Sequence, residues 1–231
     1  MAKKVLITGG NKGIGLECTK MFKELEYEVI VAARDFSNFT IQNVRTIQYD
    51  FNDIENLPNF VKEVGDIDIL INNAGFMQPH ITYDNYPRAD IEKMMNVNLY
   101  SPVELITQFS KAMKEKGYGR IVNNASIAGQ IGHPDVWYGM SKAALINATK
   151  IYAKLLGGDG IVVNCVAPSP VETEMQAVNS EERKSEFKKS VISNRFAEAS
   201  EIAKTILWLA TDCPEYINGI CIDINNGSYM R

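Results

Sequence analysis

Residues Lys4–Phe22, KVLITGGNKGIGLECTKMF, decide how this chain folds. An apolar run ends at Thr8, two glycines follow, and an amphipathic stretch opens at Ile14. Strand, glycine turn and helix in that order form the first unit of an α/β chain. Gly9, Gly13 and Gly15 allow backbone geometry and close approach that a Cβ forbids. Asn11, Lys12 and Ile14 complete the turn. The helix then presents unpaired N–H groups and the positive end of its dipole, a suitable seat for a pyrophosphate.

The same alternation runs along the whole sequence. Strand-like runs fall near Lys4–Thr8, Glu28–Ala33, Val44–Asp50, Ile67–Asn72, Arg120–Asn124, Ile161–Ala167 and Ile220–Ile224. Helical periodicity fills Ile14–Leu25, Ile54–Glu63, Arg88–Lys116, Tyr138–Leu156 and Glu198–Thr211. Apolar strands joined by helical crossovers imply a doubly wound parallel sheet of about seven strands, with helices on both faces. A length of 231 residues suits one domain, 1–231, and no linker or repeat interrupts it.

The composition is 45% apolar and 23% charged, ordinary for a globular protein. A net charge of −4 offers no electrostatic reason to expect nucleic acid as a partner. The apolar runs are strand-sized, too short to span a membrane, and no signal-peptide core precedes the first strand. Cys18, Cys165, Cys213 and Cys221 are scattered, which fits buried thiols in a reducing, cytoplasmic setting. His80 and His133 lack ligand spacing, so no metal is expected.

Two stretches depart from the pattern. Only DFSNFTIQN separates Arg34 from Val44, too short for a helical crossover, so a loop or single turn belongs there. Residues 168–195 carry two early prolines and the charged run EERKSEFKK. They read either as a solvated surface helix or as a substrate lid, because they follow the sixth strand on the edge where such sheets bind ligands.

Tyr138 and Lys142 sit one helical turn apart in WYGMSKAALINATK, on one helix face. A phenol has a pKa of about 10, too high for acid–base work at neutral pH. A nearby ammonium lowers it. Asn98 lies in a long helical stretch four residues before Pro102. Proline has no N–H to donate to the Asn98 carbonyl, so a kink that frees this carbonyl for water is expected.

The spacing Thr8-Gly9-x-x-x-Gly13-x-Gly15 resembles the short-chain dehydrogenase/reductase family, in its short single-domain branch. The resemblance runs from Thr8 to Gly227 through NNAG at Asn72–Gly75, Asn98 in NVNL, Ser126 after NNA, Tyr138, Lys142, and PSPVET at Pro168–Thr173. It implies a Rossmann-type sheet in the order 3-2-1-4-5-6-7. It also implies a catalytic set of Asn98, Ser126, Tyr138 and Lys142. In that set Tyr138 protonates a carbonyl oxygen and also contacts the cofactor, Ser126 holds the oxygen, Lys142 holds the nicotinamide ribose, and Asn98 anchors a relay water. Asp50 and Phe51 match the family's adenine contact, and Asn73, Ala74 and Gly75 its adenosine-ribose and sheet support. Val171 and Thr173 match its nicotinamide contacts. Ser169-Pro170 departs from the family's usual glycine after the proline.

Dinucleotide enzymes that prefer NAD commonly end the second strand in an acid, whereas an arginine accommodates a 2′-phosphate. Here Ala33 takes the acid's place and Arg34 follows. With Lys12, that favours NADP(H) over NAD(H), although Asp35 could pair with Arg34. The expected reaction interconverts a ketone and a secondary alcohol. Its small-molecule substrate is a 3-oxoacyl thioester or a keto-sugar or other metabolite carbonyl. The segments Ile127–Trp137, Phe76–Tyr86 and the stretch after Thr173 should line the pocket. Lys184, Lys188 and Lys189 could meet an acyl carrier, but Glu181, Glu182 and Glu186 interrupt them. The family's habit implies a homodimer or homotetramer through the helices at Arg88–Lys116 and Tyr138–Leu156. The rival reading is a non-catalytic dinucleotide sensor or scaffold of the same fold.

Overall fold

The computed structural model describes residues 2–79 and 81–230. His80, one of the candidate pocket residues, lies outside them. Seven strands form one parallel sheet in the order β3-β2-β1-β4-β5-β6-β7. They are β1 (Lys4–Thr8), β2 (Glu28–Ala33), β3 (Arg45–Gln48), β4 (Ile69–Asn72), β5 (Gly119–Asn124), β6 (Ile161–Pro168) and β7 (Cys221–Ile224).

Alternation along β1 shows why both faces are covered. Val5 and Ile7 point to one side and Leu6 to the other, and all three are fully buried. Val5 and Ile7 pack with α1 (Gly13–Glu24) and α7 (Ala199–Ala210) through Cys18, Phe22, Ile202 and Ile206. Leu6 packs with α2 (Leu57–Val64), α4 (Ser101–Lys116) and α5 (Val136–Leu156) through Phe60, Leu105, Phe109 and Leu156. Buried apolar area on both sides of the sheet is the main stabilising contribution.

Helix α3 (Arg88–Met95) runs into α4 through a π turn, Asn96–Tyr100, in which the Ser101 N–H donates to the Asn96 carbonyl. Where Pro102 led to the expectation of a kink that frees the Asn98 carbonyl, the helix has this π turn, and the carbonyl it engages is that of Asn96. One extra residue enters the turn beside the position where proline offers no N–H. The nine residues after Arg34 form turns with no helix.

Between β6 and α7 lie a 3-10 turn, Glu174–Val178, and a helix, α6 (Glu181–Lys189). Most of α6 is exposed, but Arg183, Lys184 and Phe187 are half-buried. The Ser169-Pro170 departure is absorbed by pairing: the Ser169 N–H donates to the Ile224 carbonyl and the Ala197 N–H to the Pro170 carbonyl. Among the described residues no helix is long and apolar enough to cross a membrane.

Candidate active site

A cleft of about 770 Å³ opens along the carboxyl ends of the strands. It is lined in turn by Gly9 and Lys12 after β1, Arg34 after β2, Asp50 and Phe51 after β3, Asn73 after β4, and Ser126 after β5. Strand order reverses between β1 and β4, the crevice where such sheets bind ligands. The sheet thus gathers residues from five loops onto one edge.

At the β1 end the glycine turn is shaped by contacts. Gly13 has φ of +53°, which favours glycine. A Cβ on Gly15 would lie 2.2 Å from the Gly9 carbonyl oxygen and 2.5 Å from Asn73 Nδ2, so α1 sits against the turn only because no side chain is there. Asn73 Nδ2 donates to the Thr8 and Gly9 carbonyls at 3.0 and 3.2 Å. Its Oδ1 accepts from Asn124 Nδ2 at 3.0 Å, which ties the turn to β5. Lys12, before α1, provides no side-chain cap, and the first turn holds no acid. The N–H groups of that turn and the helix dipole therefore suit a pyrophosphate, and the residues present fit a dinucleotide.

Of the proposed cofactor contacts, Gly9, Asn11, Lys12, Gly13, Ile14, Arg34, Asp50, Phe51, Asn73, Ala74, Gly75, Val171 and Thr173 all line the cleft. Gly15 acts behind it, as the close contact of α1. Asp35 does not take Arg34. Its carboxylate accepts from the Ser37 N–H and hydroxyl at 2.8 and 2.9 Å, which holds its pKa below the ordinary value. Arg34 stays exposed at the cleft's lip. Lys12 pairs with Glu174 across the cleft at 2.9 Å.

Ser126, Tyr138 and Lys142 meet at the other end. Ser126 follows β5, and its Oγ accepts from the Ala128 N–H at 3.1 Å, which fixes the rotamer. Tyr138 lies in the first turn of α5, with Lys142 one turn on. The Ser126 hydroxyl is the polar neighbour that favours the ionised Tyr138 phenol. Burial pushes that phenol up, the Ser126 hydroxyl pulls it down, and the Asp135 charge raises it further.

The expectation that Lys142 lowers the Tyr138 pKa is corrected by this geometry. The Lys142 Nζ donates to the Asn124 carbonyl at 2.8 Å and stands 5.8 Å from the Tyr138 ring centroid. Burial brings Lys142 itself down to about 8. Desolvation of the phenolate outweighs the lysine's attraction for these residues alone.

Asn98 is fully buried and lies behind the cleft. Its Oδ1 accepts from the Phe76 N–H at 2.8 Å, and its Nδ2 donates to the Phe76 carbonyl at 2.9 Å and to Ser141 Oγ at 3.2 Å. Ser141 in turn donates to the Tyr138 carbonyl at 2.8 Å. The amide therefore braces the loop after β4 against the helix that carries Tyr138. Sequence reasoning missed Asn124, whose backbone carbonyl receives Lys142, an acceptor that any residue type would supply. It also missed Asp135 and Arg183, whose pairing across the chain leaves no local pattern.

A family model described as enoyl-(acyl carrier protein) reductase matches residues 9–228. The 3-oxoacyl-[acyl-carrier-protein] reductase FabG of Staphylococcus aureus is 30% identical over 100% of this chain and 99% of its own. The enzyme of the same name from Haemophilus influenzae is 32% identical over 99% of this chain and 98% of its own. Among solved structures, ElxO with NADP bound superposes with a TM-score of 0.87 at 31% identity, covering 99% of each chain. A 4-hydroxyisoleucine dehydrogenase complexed with NADH reaches 0.91 at 28% identity, covering 98% of each. Similarity of this extent, over a sheet order and strand-end cleft reached independently, means that the chain belongs to the short-chain dehydrogenase/reductase family of oxidoreductases.

Proposed function

We propose that this protein is an NADP(H)-dependent oxidoreductase that interconverts a ketone and a secondary alcohol, with Tyr138 as general acid–base. The observation that carries the reading is the convergence of Ser126, Tyr138 and Lys142 at one end of a cleft whose other end is the glycine turn. The whole chain acts as one dinucleotide-binding domain, in which residues 168–195 form the substrate lid.

When bound, the nicotinamide supplies or accepts the hydride. Ser126 and Tyr138 present two hydroxyls to one carbonyl oxygen, a preorganised pair of donors. As negative charge builds on that oxygen, Tyr138 gives up its phenolic proton to it. In the reverse direction the Tyr138 phenolate accepts the proton of the alcohol. Lys142, held by the Asn124 carbonyl, faces the cleft to bind ribose hydroxyls. Asn98 keeps the Phe76 loop and α5 in register.

The preference for NADP(H) is supported by Arg34, left available because Asp35 is turned toward Ser37. Lys12 stands at the same lip. Substituting Arg34→Ala is expected to weaken NADPH binding by about tenfold or more, the worth of a charge-assisted bond, with NADH little changed. Titration of both cofactors against both proteins checks this. Equal affinity of the unaltered protein for NADPH and NADH would contradict it.

The relatives named as 3-oxoacyl-carrier reductases support an acyl thioester substrate. The polar wall of His133, Gln176, Asn179 and Arg183 supports a smaller polar carbonyl compound such as a keto-sugar. We further propose a cytoplasmic homodimer or homotetramer. Tyr100, Met140, Ile151 and Leu155 leave 48–65% of their area exposed on the π turn and α5, an apolar surface that a second copy would cover. Sedimentation velocity should show no monomer at micromolar concentration, and a purely monomeric species would refute this assembly.

A further inference from the structure

Among the described residues, Arg195–Glu201 ties the segment between β6 and α7 to α7 itself, and two further ion pairs of different character join it to the rest of the molecule. The Lys12–Glu174 pair has both side chains more than half exposed, so it contributes little. The second joins Arg183 Nη2 to Asp135 Oδ2. Asp135 is only 1% exposed, and the Arg183 side chain 13%. A buried carboxylate deprived of its cation is strongly unfavourable, so this contact holds its two elements together.

Local sequence prepares both partners. Ser180 caps α6, its Oγ accepting from the Arg183 N–H at 3.2 Å, which fixes Arg183 in the first turn. Phe187, one turn on, lies with its ring centroid 5.3 Å from the guanidinium carbon. Asp135 directly precedes α5, three residues before Tyr138. Its N–H donates to His133 Nδ1 at 3.2 Å, and the His133 ring stands 5.8 Å from the Tyr138 ring. Tyr86, from the loop after β4, feels both charges: burial and Asp135 push its phenol up, and Arg183 pulls it down. The loop before α5 and helix α6 therefore meet at one buried carboxylate, whose charge reaches Tyr86 of the loop after β4. His133, Arg183 and Phe187 share the cleft wall with Tyr138.

We propose that the Asp135–Arg183 pair is the latch that docks the lid over the substrate end, which makes both residues positioning residues for carbonyl reduction. The inference rests on the reductase reading of the cleft. Neither residue touches the reacting oxygen. Arg183 fixes α6, α6 places Phe187 as a wall for the substrate, and closure keeps water from the hydride-transfer site. A weakened latch raises the free energy of the closed complex and appears mainly in KM.

The test uses the full chain and four variants: Arg183→Gln, Asp135→Asn, both together, and Arg183→Lys. Hydrogen exchange is read on residues 174–195 without substrate, with the amides of β1, β4 and β5 as the control for folding. Steady-state kinetics are read on a ketone that the unaltered protein reduces. Each neutral single variant should exchange roughly tenfold faster across α6 and raise KM on the order of tenfold, with kcat less affected. The double variant should be no worse than the worse single, because one contact is lost only once. Arg183→Lys, which keeps the charge, should recover part of both effects. Unchanged exchange across α6, independent effects that multiply in the double variant, or a loss confined to kcat would overturn the latch. Exchange decides the latch even if no ketone is turned over, and a failed latch with intact turnover leaves the reductase reading standing.

Discussion

Tyr138→Phe is expected to reduce carbonyl turnover by about 10²–10⁴-fold, the usual contribution of a positioned general acid. The corresponding barrier increase is about 3–5 kcal/mol. Cofactor affinity should hardly change, because the ring remains and only the phenolic oxygen is lost. Ser126 is left as the one hydroxyl on the substrate oxygen, able to orient it but without a proton source matched to the developing alkoxide.

The direction of the pKa shifts adds a pH signature. Burial keeps Tyr138 protonated through neutral pH, so reduction proceeds there without prior protonation. Lys142, brought down to about 8, is charged below that value and neutral above it. Reduction should therefore decline as pH rises through about 8, whereas alcohol oxidation, which needs the phenolate, should have its optimum at higher pH. Rates measured in both directions across pH 6–10 check the sign, and coincident optima would contradict it.

Gly15→Ala is the second large effect, and it arises from space alone. The new Cβ would stand 2.2 Å from the Gly9 carbonyl oxygen, a backbone atom that cannot rotate away. Either α1 moves off the turn or the turn opens, and both spoil the N–H groups that face the cleft. Overpacking of this kind costs about 1–3 kcal/mol, a fall in Tm of roughly 2–12 °C for a chain of this size. Dinucleotide affinity should fall at least about tenfold. Gly158→Ala is the control, since a Cβ there meets nothing within 4 Å. Calorimetry and cofactor titration of both variants measure the difference. Unaltered binding in Gly15→Ala would mean that the glycine turn is not the pyrophosphate seat.

The fold was legible where the periodicity is strong. β1 and β2 begin and end at the residues expected, since their apolar runs are bounded by glycine, arginine and charge. β3 came out shorter than Val44–Asp50, because only Ile47 of its four residues is buried and an edge strand carries a weak apolar signal. Pro102 announced that the long helix could not stay regular. Whether the chain would kink or insert a residue depends on packing around Asn98, which local sequence does not encode.

At the site, the residue types were legible and their partners were not. A backbone carbonyl such as that of Asn124 leaves no trace in the sequence, yet it holds Lys142. The charged run in α6 read either as a solvated helix or as part of a lid, with no inward-facing cation singled out. One of its cations, Arg183, is instead turned inward to a carboxylate 48 residues away. Burial also reversed the expected shift of Tyr138, because desolvation is a property of the assembled cleft.

The central claim is that this cleft performs proton-coupled hydride transfer to a carbonyl. It is tested most directly by incubating the protein with NADPH and a panel of 3-oxoacyl thioesters, keto-sugars and small ketones, and following NADPH consumption. Catalytic turnover of at least one carbonyl compound, with formation of the secondary alcohol, is the expected result. Stoichiometric NADPH binding with no turnover across the panel would contradict it, and would make the protein a dinucleotide sensor instead.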